Sequence, residues 1–184
     1  MKPALILIDI QNDYFPGGRM ELEGSPEASL QAAKLLEGFR TKGLPLVHIQ
    51  HVSNRPGASF FLPDTEGLNI HANVAPRAGE TVLQKHFPNS FRGTPLLEHL
   101  RALGVDHLVI AGMMTHMCVD ATTRAAFDLG FSCSLAHDAC ATRALVFGDE
   151  RVPAAQVHAA FVAALAGLYA KVQSAAAVAA EIAS

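Results

Sequence analysis

The feature that most constrains the fold is the alternation, along 184 residues, of short apolar runs with segments of helical periodicity. The apolar runs are short and rich in Leu, Ile and Val, which is typical of strands buried on both faces of a sheet. They cover residues 4–10, 44–52, 81–85, 105–111 and 131–136. Because alternating strands and helices form parallel sheets covered by helices, the pattern predicts an α/β fold around a mostly parallel sheet.

Helix signals separate these strands. Ser25 and Pro26 are a typical N-cap and first helical residue, and Gly43 ends the helix that they begin. Between the second and third strands, residues 55–76 show no clear period, which predicts a long excursion over an active site. The other predicted helices cover 94–103, 115–129 with Thr115 as its cap, and an Ala-rich C-terminal stretch that opens at Pro153 and runs to 183.

Composition narrows the class of protein further. The length fits a single domain, predicted to span residues 1–184. A net charge of −3 argues against nucleic acid as a partner, and no apolar run predicts a signal peptide or a membrane span. Three cysteines, an odd number, indicate reduced thiols in a cytoplasmic protein. Charged residues make up 17%, below the usual share of about 25%, which suggests surface buried in an oligomer.

Three chemically matched groups stand at the carboxyl ends of predicted strands, where ligands bind in sheets of this kind. Cys118 lies near the start of a helix, where unpaired amides favour a thiolate over a thiol. Lys85 could add a positive charge, and Asp9 could accept the proton of the thiol. Taken singly, Cys118 could be a packing residue, Asp9 a loop cap and Lys85 a solvated strand end. Cys133 and Cys140 are interpreted as structural.

Three motifs, taken in order, resemble those of the isochorismatase-like cysteine hydrolases, which include nicotinamidases, carbamoylsarcosine amidases and streptothricin hydrolases. The resemblance covers nearly the whole chain. The motifs are LILIDIQNDYF at 5–15, KHFPNSF at 85–91 and GMMTHMCV at 112–119. The resemblance implies a three-layer α/β/α sandwich and a homodimer or homotetramer.

The resemblance also implies roles for individual residues. Asp9 would be the base, Lys85 the cation beside the thiolate and Cys118 the nucleophile. Members of this family often carry a cis peptide bond at the position of Met113–Met114, which turns the amides of Met114 and Cys118 toward the substrate oxyanion. The function predicted in this way is hydrolysis of a C–N bond in a small amide, lactam or carbamoyl compound through a thioester on Cys118.

Other functions remain open at this stage. Family members that cleave isochorismate hydrolyse a vinyl ether and do not need the nucleophilic thiol, so the presence of Cys118 favours amide chemistry. A thiol redox sensor is disfavoured because no Cys-x-x-Cys pair accompanies Cys118. A non-catalytic binding protein on the same fold is disfavoured by the joint presence of Asp9, Lys85 and Cys118.

The substrate pocket and its cofactors are predicted only in part. His51 and His116 are interpreted as pocket-lining donors, with a structural histidine as the alternative for each. Nicotinamidases place an Asp-x-His pair after the second strand to bind a metal, and this chain has none at residues 49–53, so no metal and no other cofactor is predicted. The predicted apolar walls of the pocket are Phe15, Phe60 and Phe91, with core packing as the alternative.

Overall fold

The computed structural model describes residues 1–183, and Ser184, the last residue of the predicted domain, lies outside them. A six-stranded sheet forms its centre, and a separate two-stranded hairpin precedes the last strand of that sheet. The strands of the sheet are β1 (Pro3–Ile8), β2 (Leu46–His51), β3 (Thr81–Lys85), β4 (His107–Met113), β5 (Ser132–Ala141) and, after the hairpin of β6 (Leu145–Phe147) and β7 (Glu150–Val152), β8 (Lys171–Gln173).

The strands of the sheet follow the order β3-β2-β1-β4-β5-β8, and every neighbouring pair is parallel. Five helices lie against it: α1 (Ser25–Thr41), α2 (Leu96–Ala102), α3 (Asp120–Asp128), α4 (Ala154–Ala166) and α5 (Ala175–Ala183). One hydrophobic cluster joins the sheet to α1 and α5, and a second joins its other face to α2, α3 and α4. The predicted three-layer α/β/α sandwich is confirmed.

The central strand shows why the sequence produces these layers. Successive side chains of a strand point to opposite faces of the sheet. Leu5 and Leu7 of β1 accordingly belong to the cluster under α1, while Ala4, Ile6 and Ile8 belong to the cluster under α3. An unbroken apolar run is therefore required of β1, because both of its faces are buried.

The C-terminal prediction of one long helix is wrong. The helical stretch ends at Ala166, and β8 adds a parallel strand beside β5 before α5 begins. An Ala-rich composition suits a helix throughout, but pairing with the outer edge of β5 satisfies backbone groups that would otherwise face solvent. The hairpin of β6 and β7 was also not predicted.

Two predicted helix caps are replaced by other interactions. Gly24, with φ +75°, occupies the N-cap position of α1, and the Ser25 hydroxyl donates to the Leu22 carbonyl at 3.2 Å. The Thr115 hydroxyl is 2.9 Å from Nδ1 of His158 on α4, so it joins two elements instead of capping one. Among residues 1–183, no helix combines the length and the apolar character needed to cross a bilayer.

The strand order reverses at the centre of the sheet. β1 has β2 on one side and β4 on the other, and the chain reaches these two neighbours in opposite directions from β1. In open α/β sheets such a switch point leaves a crevice beyond the carboxyl ends of the strands, and ligands bind there. Asp9 follows β1 and Cys118 lies shortly after β4, and both are among the catalytic residues that the sequence predicted.

Candidate active site

Asp9 follows β1 directly and is completely buried. Its backbone has φ +51°, a left-handed conformation that Asp tolerates better than most residues and that turns the chain sharply out of the strand. Its N–H still donates to the Ile49 carbonyl of β2 at 3.0 Å, so the turn is held to the sheet. The Asp9 carboxylate is buried and accepts from the Lys85 side chain, an arrangement that differs from the alternative of a loop cap.

Lys85 ends β3 and is 1% exposed, which excludes the alternative of a solvated strand end. Its ammonium group donates to Oδ2 of Asp9 at 2.7 Å, to Nδ1 of His51 at 3.0 Å and lies 3.3 Å from Sγ of Cys118. An ammonium has three donors and no acceptor, so these three contacts account for all of its protons. Because Nδ1 of His51 accepts, the neutral His51 ring carries its proton on Nε2.

Cys118 lies in a wide helical turn, Thr115–Val119, between β4 and α3. The turn closes with a hydrogen bond from the Val119 N–H to the Met114 carbonyl at 3.3 Å. The peptide bond expected in the cis form, Met113–Met114, is cis. Gly112 precedes it with φ +138°, and a Cβ there would lie 2.1 Å from the carbonyl oxygen of Ile8, so β1 and β4 approach more closely than any other residue would allow.

Burial and charge set the protonation of this cluster. Burial opposes the charged form of Lys85, but Asp9 and Cys118 outweigh it and raise the lysine pKa. Burial, and then the Asp9 charge, raise the pKa of Cys118 well above its ordinary value, although Lys85 acts in the opposite direction. Burial thus acts against the thiolate that the sequence predicted for Cys118. The balance favours the thiol of Cys118 over its thiolate, because desolvation outweighs the single lysine charge.

The Asp9 carboxylate uses its two oxygens differently. Oδ2 accepts from Lys85, whereas Oδ1 is buried and has no hydrogen-bond partner among residues 1–183. A carboxylate oxygen, a ring nitrogen of His51 and Sγ of Cys118 all lie within 4.8 Å of one another. Asp9 therefore has a vacant acceptor position in a site where the neighbouring thiol has a proton to give.

The same three residues, Asp9, His51 and Cys118, are spaced as ligands of a metal ion would be. Each of them is already in contact with the Lys85 ammonium. A metal bound by these atoms would lie against a buried positive charge, which opposes binding of a second cation. The donor set therefore fits the lysine ammonium better than a metal ion.

A cavity of about 100 Å³ opens above Sγ of Cys118. Two of the predicted pocket residues, His51 and Phe60, line it. The full lining consists of Tyr14, His51, Ser53, Arg55, Phe60, His86, Phe87, Pro88, Met114, Met117 and Cys118. The walls are mostly apolar and aromatic, with a few polar groups, as is usual for sites that bind small molecules.

Three predicted pocket residues lie elsewhere, and their assignment to the cavity lining is corrected. Phe15 stacks on the ring of His71 with centroids 3.6 Å apart, since the short turn at 12–14 directs Tyr14 to the cavity instead. Phe91 packs into the second core cluster against Phe131. His116 is absent from the lining and bonds the Thr142 hydroxyl at 2.6 Å, which suits the alternative of a structural histidine.

Sequence reasoning missed several of the lining residues. His86, Phe87 and Pro88 stand within the second motif, directly after Lys85, so their position in the sequence was a usable signal. The sequence did not predict Tyr14 as a lining residue, because a turn, unlike a strand, does not determine whether Tyr14 or Phe15 faces the site. Arg55 belongs to the irregular excursion, where no periodicity indicates which side chains point inward.

Two side chains after β1 hold that excursion against the site. The amide of Gln11 bonds the backbone of His51 at both its N–H and its carbonyl, and also reaches the Leu68 carbonyl at 2.8 Å. Asp13 is buried, and its Oδ2 accepts from the N–H of Phe61 at 2.6 Å. The prediction that residues 55–76 cover the site agrees with the placement of Arg55 and Phe60 in the cavity wall.

The other two cysteines differ from Cys118 in their surroundings. Cys133 and Cys140 are buried thiols near backbone carbonyls, of Phe131 at 3.8 Å and of Ala136 at 3.4 Å. Neither contacts the Lys85 ammonium, and burial raises the pKa of each to about 12. Their surroundings suit the structural role that the sequence suggested.

Comparisons with known proteins agree with this geometry. Residues 3–177 match the family model of the isochorismatase domain. The chain is 51% identical to the uncharacterised isochorismatase family protein YddQ of Bacillus subtilis, over 95% of this chain and 97% of that protein. It is 35% identical to maleamate amidohydrolase of Pseudomonas putida, over 71% of this chain and 68% of that protein. It superposes with a TM-score of 0.93 on a crystal structure from Oleispira antarctica described as an isochorismatase hydrolase, at 52% identity, covering 97% of this chain and 96% of that one.

Proposed function

Because the chain belongs to the isochorismatase family of hydrolases, we propose that it is a cysteine-dependent amidohydrolase acting on a small amide, lactam or carbamoyl compound. One observation carries the proposal. The Lys85 ammonium contacts both the Asp9 carboxylate and the Cys118 thiol, all three residues are buried, and Cys118 lines the cavity. The amidohydrolase named among the relatives supports C–N bond cleavage.

The first half of the reaction forms a thioester. Oδ1 of Asp9 takes the Sγ proton as the sulfur attacks the carbonyl carbon of the substrate. Lys85 stabilises the negative charge that develops on the sulfur as the proton leaves. As the S–C bond forms, that charge moves to the carbonyl oxygen of the substrate. The amides of Met114 and Cys118, both in the cavity lining, are proposed to bind that oxyanion, at about 3 kcal/mol for each donor. Protonated Asp9 then gives its proton to the leaving nitrogen, and the C–N bond breaks.

The second half returns the enzyme to its starting state. A water molecule enters the cavity, Asp9 removes one of its protons, and the resulting hydroxide adds to the thioester carbonyl. The C–S bond breaks, the acid leaves, and the thiolate recovers its proton from Asp9. The raised pKa of Cys118 suits this cycle, because the free enzyme rests as a thiol and Asp9 rests with a vacant oxygen. Asp9 thus gives one proton to the leaving nitrogen in the first half of the reaction and one to the Cys118 sulfur in the second.

The proposal is tested by ammonia or amine release from a panel of amides, lactams and carbamoyl compounds. Cys118→Ala should abolish release, and the matched variant Cys133→Ala, which also removes a buried sulfur, should retain it. Intact-mass measurements on a slow substrate should show an acyl adduct in the unmodified enzyme and none in Cys118→Ala. Amine release that persists in Cys118→Ala would contradict the cysteine-dependent mechanism, and no release from any compound of the panel would contradict the amidohydrolase activity.

A further inference from the structure

Arg55 is distinguished from the other cavity residues by its charge. Among the described residues that line the cavity at Cys118, only Arg55 is permanently charged, and none is acidic. Arg55 is an exposed residue that also lines the cavity, so it lies at the mouth. Its five N–H donors are arranged to bind a carboxylate through two parallel hydrogen bonds.

The guanidinium of Arg55 has no ion pair and no side-chain hydrogen bond within residues 1–183. Other arginines of the chain differ from it in this respect. Arg40 pairs with Glu80, Arg77 with Glu37 and Arg124 with Asp120. Arg55 is therefore available to bind a ligand, whereas the other three arginines form ion pairs within the protein.

The charges deeper in the site do not cancel the charge of Arg55. Asp9 and Lys85 neutralise each other at a distance of 2.7 Å, and burial favours the neutral thiol of Cys118. Burial, followed by the Lys85 charge, lowers the pKa of His51 to about 4, so His51 is neutral at pH 7. The cavity thus presents one uncompensated positive charge at its mouth, and a low-dielectric cleft focuses such a field on an entering ligand.

We infer that the substrate is a small monoanion whose carboxylate binds Arg55 while its amide or carbamoyl carbon meets Cys118, an inference that rests on the proposed function. Phe60, Phe87 and Met114 line the same cavity, so the body of the substrate is compact and apolar. A neutral amide of the same size would lose the charge-assisted hydrogen bonds to Arg55. A cationic amide would be repelled at the mouth of the cavity.

The charge preference can be measured without knowing the natural substrate. Iodoacetate and iodoacetamide form the same Sγ–C bond with loss of iodide, so the ratio of their rates at Cys118 reports the effect of the reagent's charge. Peptide mass spectrometry gives the rate at Cys118 separately from Cys133 and Cys140. In Arg55→Gln the iodoacetate-to-iodoacetamide ratio should fall about fivefold at low salt. Arg101→Gln, which removes an equal charge from α2, should leave the ratio unchanged.

A second measurement connects this preference to turnover. Ammonia release from succinamate, the monoamide of butanedioic acid, should exceed release from its methyl ester in kcat/KM, and Arg55→Gln should remove most of that difference. An alkylation ratio that is the same in Arg55→Gln as in the unmodified protein would overturn the inference. If the ratio falls but no amide is hydrolysed by any variant, Arg55 binds anions as inferred and the proposed amidohydrolase activity is overturned instead.

Discussion

Folding removes the ammonium group of Lys85 completely from water and surrounds it with acceptors from three other elements. Asp9 follows β1, His51 ends β2 and Cys118 lies in the turn after β4. If Lys85 lost Asp9, its ion-pair partner, the buried charge would be left uncompensated, at a cost of about 3–5 kcal/mol. The same contacts that make Lys85 useful for catalysis therefore make it necessary for the fold, so a variant of Lys85 confounds activity with stability.

Asp9 and Cys118 allow a test of a shared mechanism. Asp9→Asn keeps the shape of the side chain but cannot accept a proton, and we expect it to lower kcat by about 10³-fold. Cys118→Ala should lower kcat at least as far. Because both residues act in one step, the double variant should be scarcely slower than Cys118→Ala alone. Steady-state rates of the four proteins give the coupling energy directly.

Stability must be followed in the same experiment, because Asp9→Asn leaves Lys85 without its carboxylate partner. Circular dichroism and urea unfolding of each variant identify the temperature at which all four proteins are folded, and rates are compared there. If the logarithmic losses of the two single variants add up to the loss in the double variant, the two residues act independently. The proposed base–nucleophile pair would then be withdrawn.

At the scale of the elements, the segment between β2 and β3 is positioned by close packing on Asp13. The Asp13 carboxylate accepts from the N–H groups of Phe61 and Arg19. Gly67 lies directly against it, since a Cβ at Gly67 would be 2.0 Å from Oδ1 of Asp13. The wall of the cavity that contains Phe60 therefore depends on a contact that only glycine permits.

Gly67→Ala should disturb this wall. The added methyl group must displace Asp13 or the segment, and we expect a loss of about 2 kcal/mol in the free energy of unfolding together with a raised KM. The matched variant is Gly38→Ala in α1, where no atom lies within 4 Å of the new Cβ. That change should stabilise the helix by up to about 1 kcal/mol and leave KM unaltered. Urea unfolding and initial rates measure both effects, and equal results for the two variants would refute the role of Gly67.

Glu80 joins three elements at the amino-terminal side of β3. Its carboxylate accepts two hydrogen bonds from Arg40 of α1, one from the Arg77 N–H, and contacts Nε2 of His48 on β2. The hydrogen bonds from Arg40, aided by those from Arg77 and His48 and opposed by burial, lower the pKa of Glu80 from 4.5 to about 2. Because the folded-state pKa is depressed, this stabilisation is present above pH 4.5 and is lost as the pH falls toward 2.

Glu80→Gln should therefore lower the free energy of unfolding at pH 7 by about 2 kcal/mol. The gap between the variant and the unmodified protein should narrow steadily between pH 4.5 and pH 3, because Glu80 of the unfolded chain becomes protonated there while the folded-state carboxylate, with its pKa of about 2, stays ionised. Urea unfolding at pH 7, 4.5 and 3 measures this gap. Glu37→Gln, in an exposed pair with Arg77, should change stability by less than about 0.5 kcal/mol. A gap for Glu80→Gln that stays constant with pH would contradict the assignment.

The elements also show what the sequence can and cannot predict. Asp9, Lys85 and Cys118 could be located because each follows an apolar run, and parallel strands bring their carboxyl ends together. The contact of His51 with Lys85 could not, since it depends on the register of β2 against β3, which pairs these two residues directly. β8 was missed for a similar reason, because its three residues become a strand only through pairing with β5.

At the scale of the whole molecule, the notable feature is a group of apolar side chains that are exposed on the surface. The hairpin of β6 and β7 lies outside the central sheet and carries Val146, 71% exposed, and Phe147, 87% exposed. Burying a Phe side chain contributes about 2 kcal/mol, so adjacent apolar side chains held out from the surface favour association with another surface. A low charged fraction of 17% indicates the same tendency.

We therefore expect the chain to form a homodimer or homotetramer that buries this hairpin against a second copy. Phe147→Ser should shift the protein toward the monomer, because it removes most of the apolar area that the hairpin offers. Leu168→Ser, which removes another exposed apolar side chain outside the hairpin, is the matched control and should leave the assembly unchanged. Sedimentation velocity over a hundredfold range of concentration measures both. A monomer in the unmodified protein, or an unaltered oligomer in Phe147→Ser, would contradict the expectation, since the hairpin would then contribute nothing to association.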